Sequence, residues 1–522
     1  MKKGDHKETQ KKSEIMDMEE NTSDKMNDKS VEEQQDEQFT SGELKKKAAS
    51  GLFWMFGERI LAQSVSFIVS VVLARILMPE EYGIIAIVLV FINIANVFVT
   101  SGLGQALIQK KDATELDFDT MFLIAHLMAW GIFVILFFVS PLIASFYNNP
   151  QLVWVLRVIS LKLPIASFNS IQHAYVTRHM QFRKYFFSTL AGTLVSGAVG
   201  ILLAIHGAGV WALVLQYLIN SLMDTLILLF TAKWKPKFRF SFVNAKQMFG
   251  FSIKLTLSSL INTIYVEMQS MVIGKVYTDD ALGYYKRGDQ FPSLIITNIN
   301  SSVGSVMFPT FSKVADNIDT LKSMTRRSMS VTFYIIAPLM FGLAAVAKPL
   351  VVVLLTEKWL PCVFFLQLAC MRYMLQPIQT ANCQAIKALG RSDIYLIMEI
   401  VKKAFGVTAL LISLHYGINA IAIATVISVV FSAIVSMFPN IFLLKYSFGQ
   451  QLKDLAPGFI MGVIMFGAVY VLSLVLFELP QVLVLIIQLV TGAIIYLGLS
   501  RLFKVDSFFY IVNYLKSLRG KV

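Results

Sequence analysis

A succession of apolar stretches, each roughly 20 residues or longer, runs from about residue 49 to residue 503, broken only by short polar, Gly- or Pro-bearing connections. A helix rises 1.5 Å per residue, so about 20 apolar residues cross the ~30 Å hydrocarbon core of a bilayer. Water is absent there, and every backbone N–H and C=O must be satisfied within the chain. Runs of this length meet that demand as helices. The spans are expected at about 49–77, 81–108, 118–146, 150–177, 184–206, 208–232, 247–275, 288–312, 328–356, 361–388, 392–415, 417–444, 455–477 and 480–503. The chain is therefore expected to be an all-α polytopic membrane protein with about 14 transmembrane helices. Its 56% hydrophobic and 15% charged residues agree, since a soluble domain needs a larger polar shell.

The formal net charge of +13 invites a nucleic-acid reading, but its distribution excludes one. Lys and Arg gather in alternate short connections, around Lys110, Arg178 to Lys184, Lys233 to Lys246, Lys313 to Arg327, Lys387 to Arg391 and Lys445 to Lys453. The connections at 148–150, 206–209 and 415–419 carry none. This is the positive-inside pattern, and it predicts that both termini are cytoplasmic. One connection breaks it: the seventh, read as an outer loop, holds Lys275, Lys286 and Arg287 beside Asp279, Asp280 and Asp289. Residues 1–44 are polar and acidic on balance, as a disordered charged cytoplasmic tail would be, and contain no apolar signal core. The first span is then the insertion signal. Cys362, Cys370 and Cys383 have no His at ligand spacing and are expected to be packing residues.

The hairpin Leu73 to Gly83 recurs 200 positions later as Ile273 to Gly283. In that register Arg75 meets Lys275, Glu80 meets Asp280, Gly83 meets Gly283, Phe91 meets Phe291, Ser101 meets Ser301 and Gly104 meets Gly304. Such repeats typify secondary transporters. They divide the chain into an N-lobe at 45–232 (helices 1–6), a basic inter-lobe loop at 233–246, a C-lobe at 247–446 (helices 7–12), and 447–522 with two additional helices and a cytoplasmic C-terminus. The loop alternates Lys or Arg with aromatic residues, a pattern suited to anionic headgroups.

Several stretches carry a family resemblance in order: Leu73 to Gly83, Gly102 to Asp112, Pro141 to Tyr147, Gly209 to Leu213, Ala281 to Tyr285 and Thr356 to Pro361. Together they resemble the polysaccharide (Wzx-like) flippases of the multidrug/oligosaccharidyl-lipid/polysaccharide exporter superfamily, the lipopolysaccharide, colanic and teichuronic acid exporter type. That resemblance implies two pseudo-symmetric six-helix lobes around a central cavity, with two further helices in many members. It also implies a function: flipping undecaprenyl-diphosphate-linked oligosaccharide repeat units from the cytoplasmic to the outer leaflet of the bacterial inner membrane. Many relatives carry Asp where this chain has Gln269, with Glu267 two residues earlier, so an ion-coupling role does not transfer to that position by analogy.

A charge at the bilayer centre costs several kcal/mol unless it faces water or a partner, so ionisable residues deep in the spans are the candidates. Arg59, roughly 18 Å past Lys47 at 1.5 Å per residue, is joined by Lys162, Lys254 and Arg372 as a cationic cavity for the diphosphate, guanidinium gripping phosphate oxygens in pairs. An interhelical salt bridge is the competing role for each. Glu58, Asp224, Glu267 and Glu399 are the carboxylates able to couple transport to a proton or sodium gradient, and the residues do not rank them. Arg157, Lys402 and Lys403 suit snorkelling to an interface. His126 is expected to be an ordinary buried or interfacial His. Gln63, Asn93 and Asn96 suit either hydrogen bonds to sugars or helix joining, the commoner use; Pro338 and Pro377 suit kinks. No cofactor is expected. The expected partners are the lipid-linked oligosaccharide, membrane lipids, and the glycan polymerase and glycosyltransferases of the same pathway, with no nucleic acid. The competing functions are a drug/cation antiporter of the same superfamily, disfavoured by the basic excess in the spans, and a membrane-bound glycan polymerase or ligase, disfavoured by outer connections of only about 12 to 15 residues.

Overall fold

The computed structural model describes residues 61–519 apart from 111, 180, 233 and 477. The tail at 1–44, Glu58 and Arg59 lie outside the described residues. Every regular element among those described is helical. In chain order they are α1 (Leu61–Ile76), α2 (Pro79–Thr100), α3 (Leu103–Gln109), α4 (Glu115–Tyr147), α5 (Gln151–Ser160), α6 (Lys162–Arg178), α7 (Phe182–Ile205), α8 (Val210–Thr231), α9 (Phe242–Val276) and α10 (Asp279–Ser312). There follow α11 (Ile318–Ala345), α12 (Ala347–Leu355), α13 (Cys362–Met374), α14 (Gln376–Ala388), α15 (Ser392–Ser413), α16 (Ile418–Leu443), α17 (Phe448–Val475), α18 (Gln481–Leu502) and α19 (Asp506–Arg519).

Local chemistry explains the boundaries. Pro79 opens α2 at the position where its missing N–H is no loss, and the Glu81 carboxylate accepts from the Met78 N–H at 2.6 Å. Thr114 and Asp117 form a reciprocal cap at the start of α4: the Thr114 N–H donates to the Asp117 carboxylate at 2.8 Å and the Asp117 N–H to Thr114 Oγ1 at 3.4 Å. Several expected spans are broken pairs. The fourth divides at Leu161 into α5 and α6, the ninth at Val346 into α11 and α12, and the tenth at Leu375 into α13 and α14, with Pro377 in the first turn of the new helix.

Among the described residues, nine helices are long and apolar enough to cross a membrane, ten if α9, bent by 46° near residue 251, is one span. Four expected spans fall outside that count: the first is described only from Leu61, α10 carries charges in its first turns and Asn, Ser, Thr and Pro beyond them, α15 carries Asp393, Glu399, Lys402 and Lys403, and the break at Leu375 leaves α13 and α14 at 13 residues each. The lipid-facing surface is plain on α4. Leu127, Trp130, Val134, Phe138, Leu142 and Phe146 are exposed at helical spacing, while Phe118, Met121, Phe122, Ala125 and Ala129 on the other side are buried. Large apolar side chains left uncovered at a helical period are stable only against hydrocarbon.

The seventh connection is far shorter than expected, only Tyr277 and Thr278. Thr278 lies at the N-cap and Asp279 and Asp280 occupy the first turn, so α10 begins nine residues before the expected span and takes Lys286 and Arg287 into the bundle. The basic linker is also held against α4. Trp234 is buried and its indole N–H donates to Asp119 at 3.2 Å. Arg239 pairs with Asp119 at 2.9 Å and with Glu115 at 3.2 Å, and Lys237 pairs with Glu115 at 3.2 Å. Phe238, Phe240 and Phe242 are exposed, and so are Lys235, Lys237 and Arg239. The linker is thus strapped to the first turns of α4 by charges that the acidic side chains there neutralise.

Apolar packing concentrates in two large clusters, one on α2, α5, α6 and α8 and the other on α10, α11, α13 and α14. Helices α2 and α10 pack against each other between them, and α17 and α18 pack outside α11. At one end of the bundle, the face carrying both hairpins, the two repeats exchange contacts. Arg75 donates to the carbonyls of Leu354 (2.8 Å) and Val353 at the end of α12, and Lys275 donates to the carbonyl of Phe146 at the end of α4. Each repeat's basic residue therefore caps the C-terminal carbonyls of a helix in the other half of the sequence, where the helix dipole favours a cation. Lys358 closes the same face by donating to the carbonyls of Arg75 (2.8 Å) and Leu77 (2.7 Å). Burial pulls its ammonium below the ordinary lysine range, with Glu81 opposing.

Candidate functional site

A cavity of about 290 Å³ lies where α1, α2, α8, α9 and α10 meet, lined by Ser70, Tyr82, Asn93, Gln216, Tyr217, Glu267, Lys286, Arg287 and Gln290. Arg287 is only 4% exposed. Its guanidinium donates to Ser70 Oγ at 2.8 Å, to the Ser70 carbonyl at 2.7 Å and to Gln290 Oε1 at 2.6 Å, and stands over the rings of Tyr82 and Trp359. All these partners are neutral. Among the described residues no carboxylate lies within ion-pair distance of Arg287, and its Nε has no hydrogen-bond partner. Lys286, one residue earlier, stands 3.5 Å from Glu267, whose other oxygen accepts from Asn93 at 2.9 Å. The site thus holds two adjacent cations and one carboxylate, with tyrosine and amide walls.

A second cavity of about 460 Å³ lies along α2, α3, α6, α7 and α8. Lys162, His173 and Asp224 are the charged or titratable groups on its wall besides Tyr185. Asp224 accepts from Asn169 and lies 3.5 Å from His173 Nε2, while the Lys162 ammonium stands 5.4 Å from the Tyr217 ring centre. The two cavities share helices: Asn93 and Asn96 on α2, and Gln216 and Asn220 on α8, are about one turn apart.

The sequence candidates are dispersed. Lys162 and Asp224 share the second cavity, and Glu267 lines the first. Arg372 on α13 is paired with Asp289 on α10, which also accepts from Tyr373 at 3.3 Å, so its charge is already met. Lys254 on α9 is exposed and lines neither cavity. Glu399 pairs with Lys402 one turn away at 3.2 Å, and Lys402 also reaches Cys383 Sγ at 3.7 Å. Gln269 bridges Tyr285 and Thr425 at 2.8 and 3.1 Å, a neutral link between α10 and α16. His126 joins Ser167 and Trp130 at 2.9 and 3.0 Å. The residues missed from sequence are Lys286 and Arg287. Their signal was there: they were the basic residues that broke the positive-inside pattern.

The helix order and the paired hairpins match a transporter fold. The structure superposes on the lipid II flippase MurJ in an inward closed conformation with a TM-score of 0.71 and 17% sequence identity, covering 88% of this chain and 99% of that one. An inward-facing multidrug resistance MATE family transporter gives 0.57 at 14% identity, covering 78% and 95%. At the sequence level, the model of the family described as "Polysaccharide biosynthesis protein" matches residues 72–364. The chain belongs to that family. Its curated relatives include the succinoglycan biosynthesis transport protein ExoT of Rhizobium meliloti (strain 1021), 29% identical over 299 residues, which are 56% of this chain and 60% of ExoT. Lipopolysaccharide biosynthesis protein WzxC of Escherichia coli (strain K12) is 24% identical over 71% of this chain and 75% of its own. Teichuronic acid biosynthesis protein TuaB of Bacillus subtilis (strain 168) is 26% identical over 78% and 85%. This member of the family is a multi-pass membrane protein, and its matched segment includes both hairpins, Lys286 and Arg287.

Proposed function

We propose that this protein flips an undecaprenyl-diphosphate-linked oligosaccharide from the cytoplasmic to the outer leaflet of the bacterial inner membrane, holding the diphosphate at Arg287 and Lys286. The observation that carries the reading is the buried Arg287 guanidinium, which meets no counter-ion among the described residues. A charge so placed is costly unless an anion completes the site. A diphosphate does so with paired oxygens matched to the guanidinium fork, and Lys286 adds a point charge beside it. The polyprenyl tail is lipid-compatible and need not enter the cavity.

Two lobes, 45–232 and 247–446, rocking about this site supply alternating access, and the positive-inside distribution orients the hairpin face outward. In this arrangement the reciprocal caps of Arg75 and Lys275 seal the outer side. Glu267, hydrogen-bonded to Asn93 and facing Lys286, is the carboxylate whose charge a bound diphosphate changes most directly, and we assign coupling to a proton or sodium gradient to it. Glycosyltransferases that build the lipid-linked unit and the polymerase that consumes it are the functional partners.

Reconstitution into sealed vesicles with a fluorescent lipid-linked oligosaccharide tests the reading. Appearance of label in the opposite leaflet is expected to exceed that in empty vesicles and to fall at least tenfold in Arg287→Ala. Equal rates with and without protein, across several glycans and ion gradients, sink it.

A further inference from the structure

The basic linker between the lobes carries more charge and more exposed aromatic surface than its strap to α4 uses. Lys237 and Arg239 are met by Glu115 and Asp119. Lys235 is exposed and has no ion pair or hydrogen bond among the described residues. It stands on the wall of an apolar groove of about 430 Å³ formed by α4, α6, α8 and the linker. Phe122 and Phe168, with ring centres 4.8 Å apart, line the groove from inside, and Phe230 and Phe238, each 79% exposed, line its mouth. Leu229 and Pro236 complete the wall, which leaves Lys235 as its one charged group.

Phenylalanines this exposed are stable against hydrocarbon, so the groove opens towards lipid. The positive-inside distribution sets it at the cytoplasmic surface, where the phosphate and the acyl chain of a lipid lie at adjacent depths. A zwitterionic lipid fills the groove but brings no net charge to Lys235. An anionic phospholipid does both. Glu115 and Asp119 oppose it, but the three linker cations Lys235, Lys237 and Arg239 outnumber these two carboxylates, and the residual charge is positive. The cavity at Arg287 shares no wall residue with the groove, so the occupant need not be the transported lipid.

We infer that the groove between α4, α6, α8 and the linker binds an anionic phospholipid of the cytoplasmic leaflet, one acyl chain lying among Phe122, Phe168, Phe230 and Phe238 and the headgroup phosphate on Lys235. The site stands apart from the diphosphate reading, and its test does not use transport. Native mass spectrometry of the full chain, titrated in detergent with phosphatidylglycerol, phosphatidylcholine or undecaprenyl phosphate, reads the affinity for the first lipid bound. Phosphatidylglycerol is expected to bind about fivefold more tightly than phosphatidylcholine, the scale of one lysine at an anionic surface. Lys235→Gln is expected to cut that preference below twofold. Phe230→Ser combined with Phe238→Ser is expected to weaken both phospholipids at least threefold. All three side chains are exposed, so thermal midpoints should hold, and each variant tests the site should the other fail to fold. Lys453→Gln, an exposed lysine in the first turns of α17, is the control and should keep the full preference. Equal affinities for the two phospholipids in the wild type, a preference that survives Lys235→Gln, an equal loss in Lys453→Gln, or unchanged binding in the folded phenylalanine variant overturns the site. Tighter binding of undecaprenyl phosphate than of phosphatidylglycerol, lost in Lys235→Gln, gives the groove to the polyprenyl lipid and overturns the assignment as well.

Discussion

Gly83 on α2 and Gly283 on α10 pack face to face across the seam of the repeat. A Cβ added at Gly83 would fall well inside contact distance of the Asp279 carbonyl, and one added at Gly283 would strike the carbonyl of Pro79. Asp279 and Pro79 are themselves 200 positions apart, so the contact is reciprocal in the register of the sequence repeat. Only a residue without a side chain lets the first turn of each helix approach the other this closely. Replacing either glycine by Ala is expected to destabilise the folded protein by about 1–3 kcal/mol, the usual range for overpacking. Thermal unfolding in detergent measures the loss, and an unchanged midpoint in both variants would contradict the packing.

The two intramembrane arginines are expected to respond oppositely to removal of charge. Arg372 is paired with Asp289, so Arg372→Met leaves a carboxylate unmet and is expected to destabilise by about 3 kcal/mol, recovered in part by adding Asp289→Asn. Arg287→Met removes a cation that has no acidic partner among the described residues, so the loss is expected in lipid-diphosphate binding, at least tenfold, with little change in thermal midpoint. Paired binding and melting curves on the same preparations separate the two.

Arg75 and Lys275 cap helix ends across the repeat at the hairpin face. The double substitution Arg75→Ala with Lys275→Ala is expected to loosen that face. Cys362 is a built-in reporter, fully buried and free, on the first turn of α13 close behind Trp359. Its labelling by a membrane-impermeant maleimide from the outer side is expected to rise severalfold in the double variant. Identical labelling in wild type and variant would assign the seal to other contacts.

Glu267 lies 3.5 Å from Lys286 in the central cavity. Glu267→Gln removes a carboxylate facing Lys286 and is expected to tighten lipid-diphosphate binding severalfold and to abolish the response of transport to an imposed ion gradient. A variant whose affinity and gradient response match the wild type would remove Glu267 from the coupling role.

The helical, multi-pass architecture and the repeat were legible in the residues, as were most span positions. The site was read less well. Lys162 and Glu267 line cavities, and their depth in a span is a local property, but Arg287 and Lys286 were assigned to a loop. The Asp279 and Asp280 turn looked like a polar break, when the two carboxylates occupy the first turn of α10, at the positive end of its dipole. Arg372 suited either the cavity or a salt bridge, and its partner, Asp289, lies 83 residues away.

That division has one physical origin. In hydrocarbon the backbone must satisfy its own hydrogen bonds within a few residues, so the sequence by itself determines that the chain is helical and roughly where each span runs. Whether a buried charge is spent on a neighbour or left for a ligand depends on which helix stands beside it. Ser70 meets Arg287 across 217 residues of chain, and only the tertiary packing decided that the group it meets there is neutral.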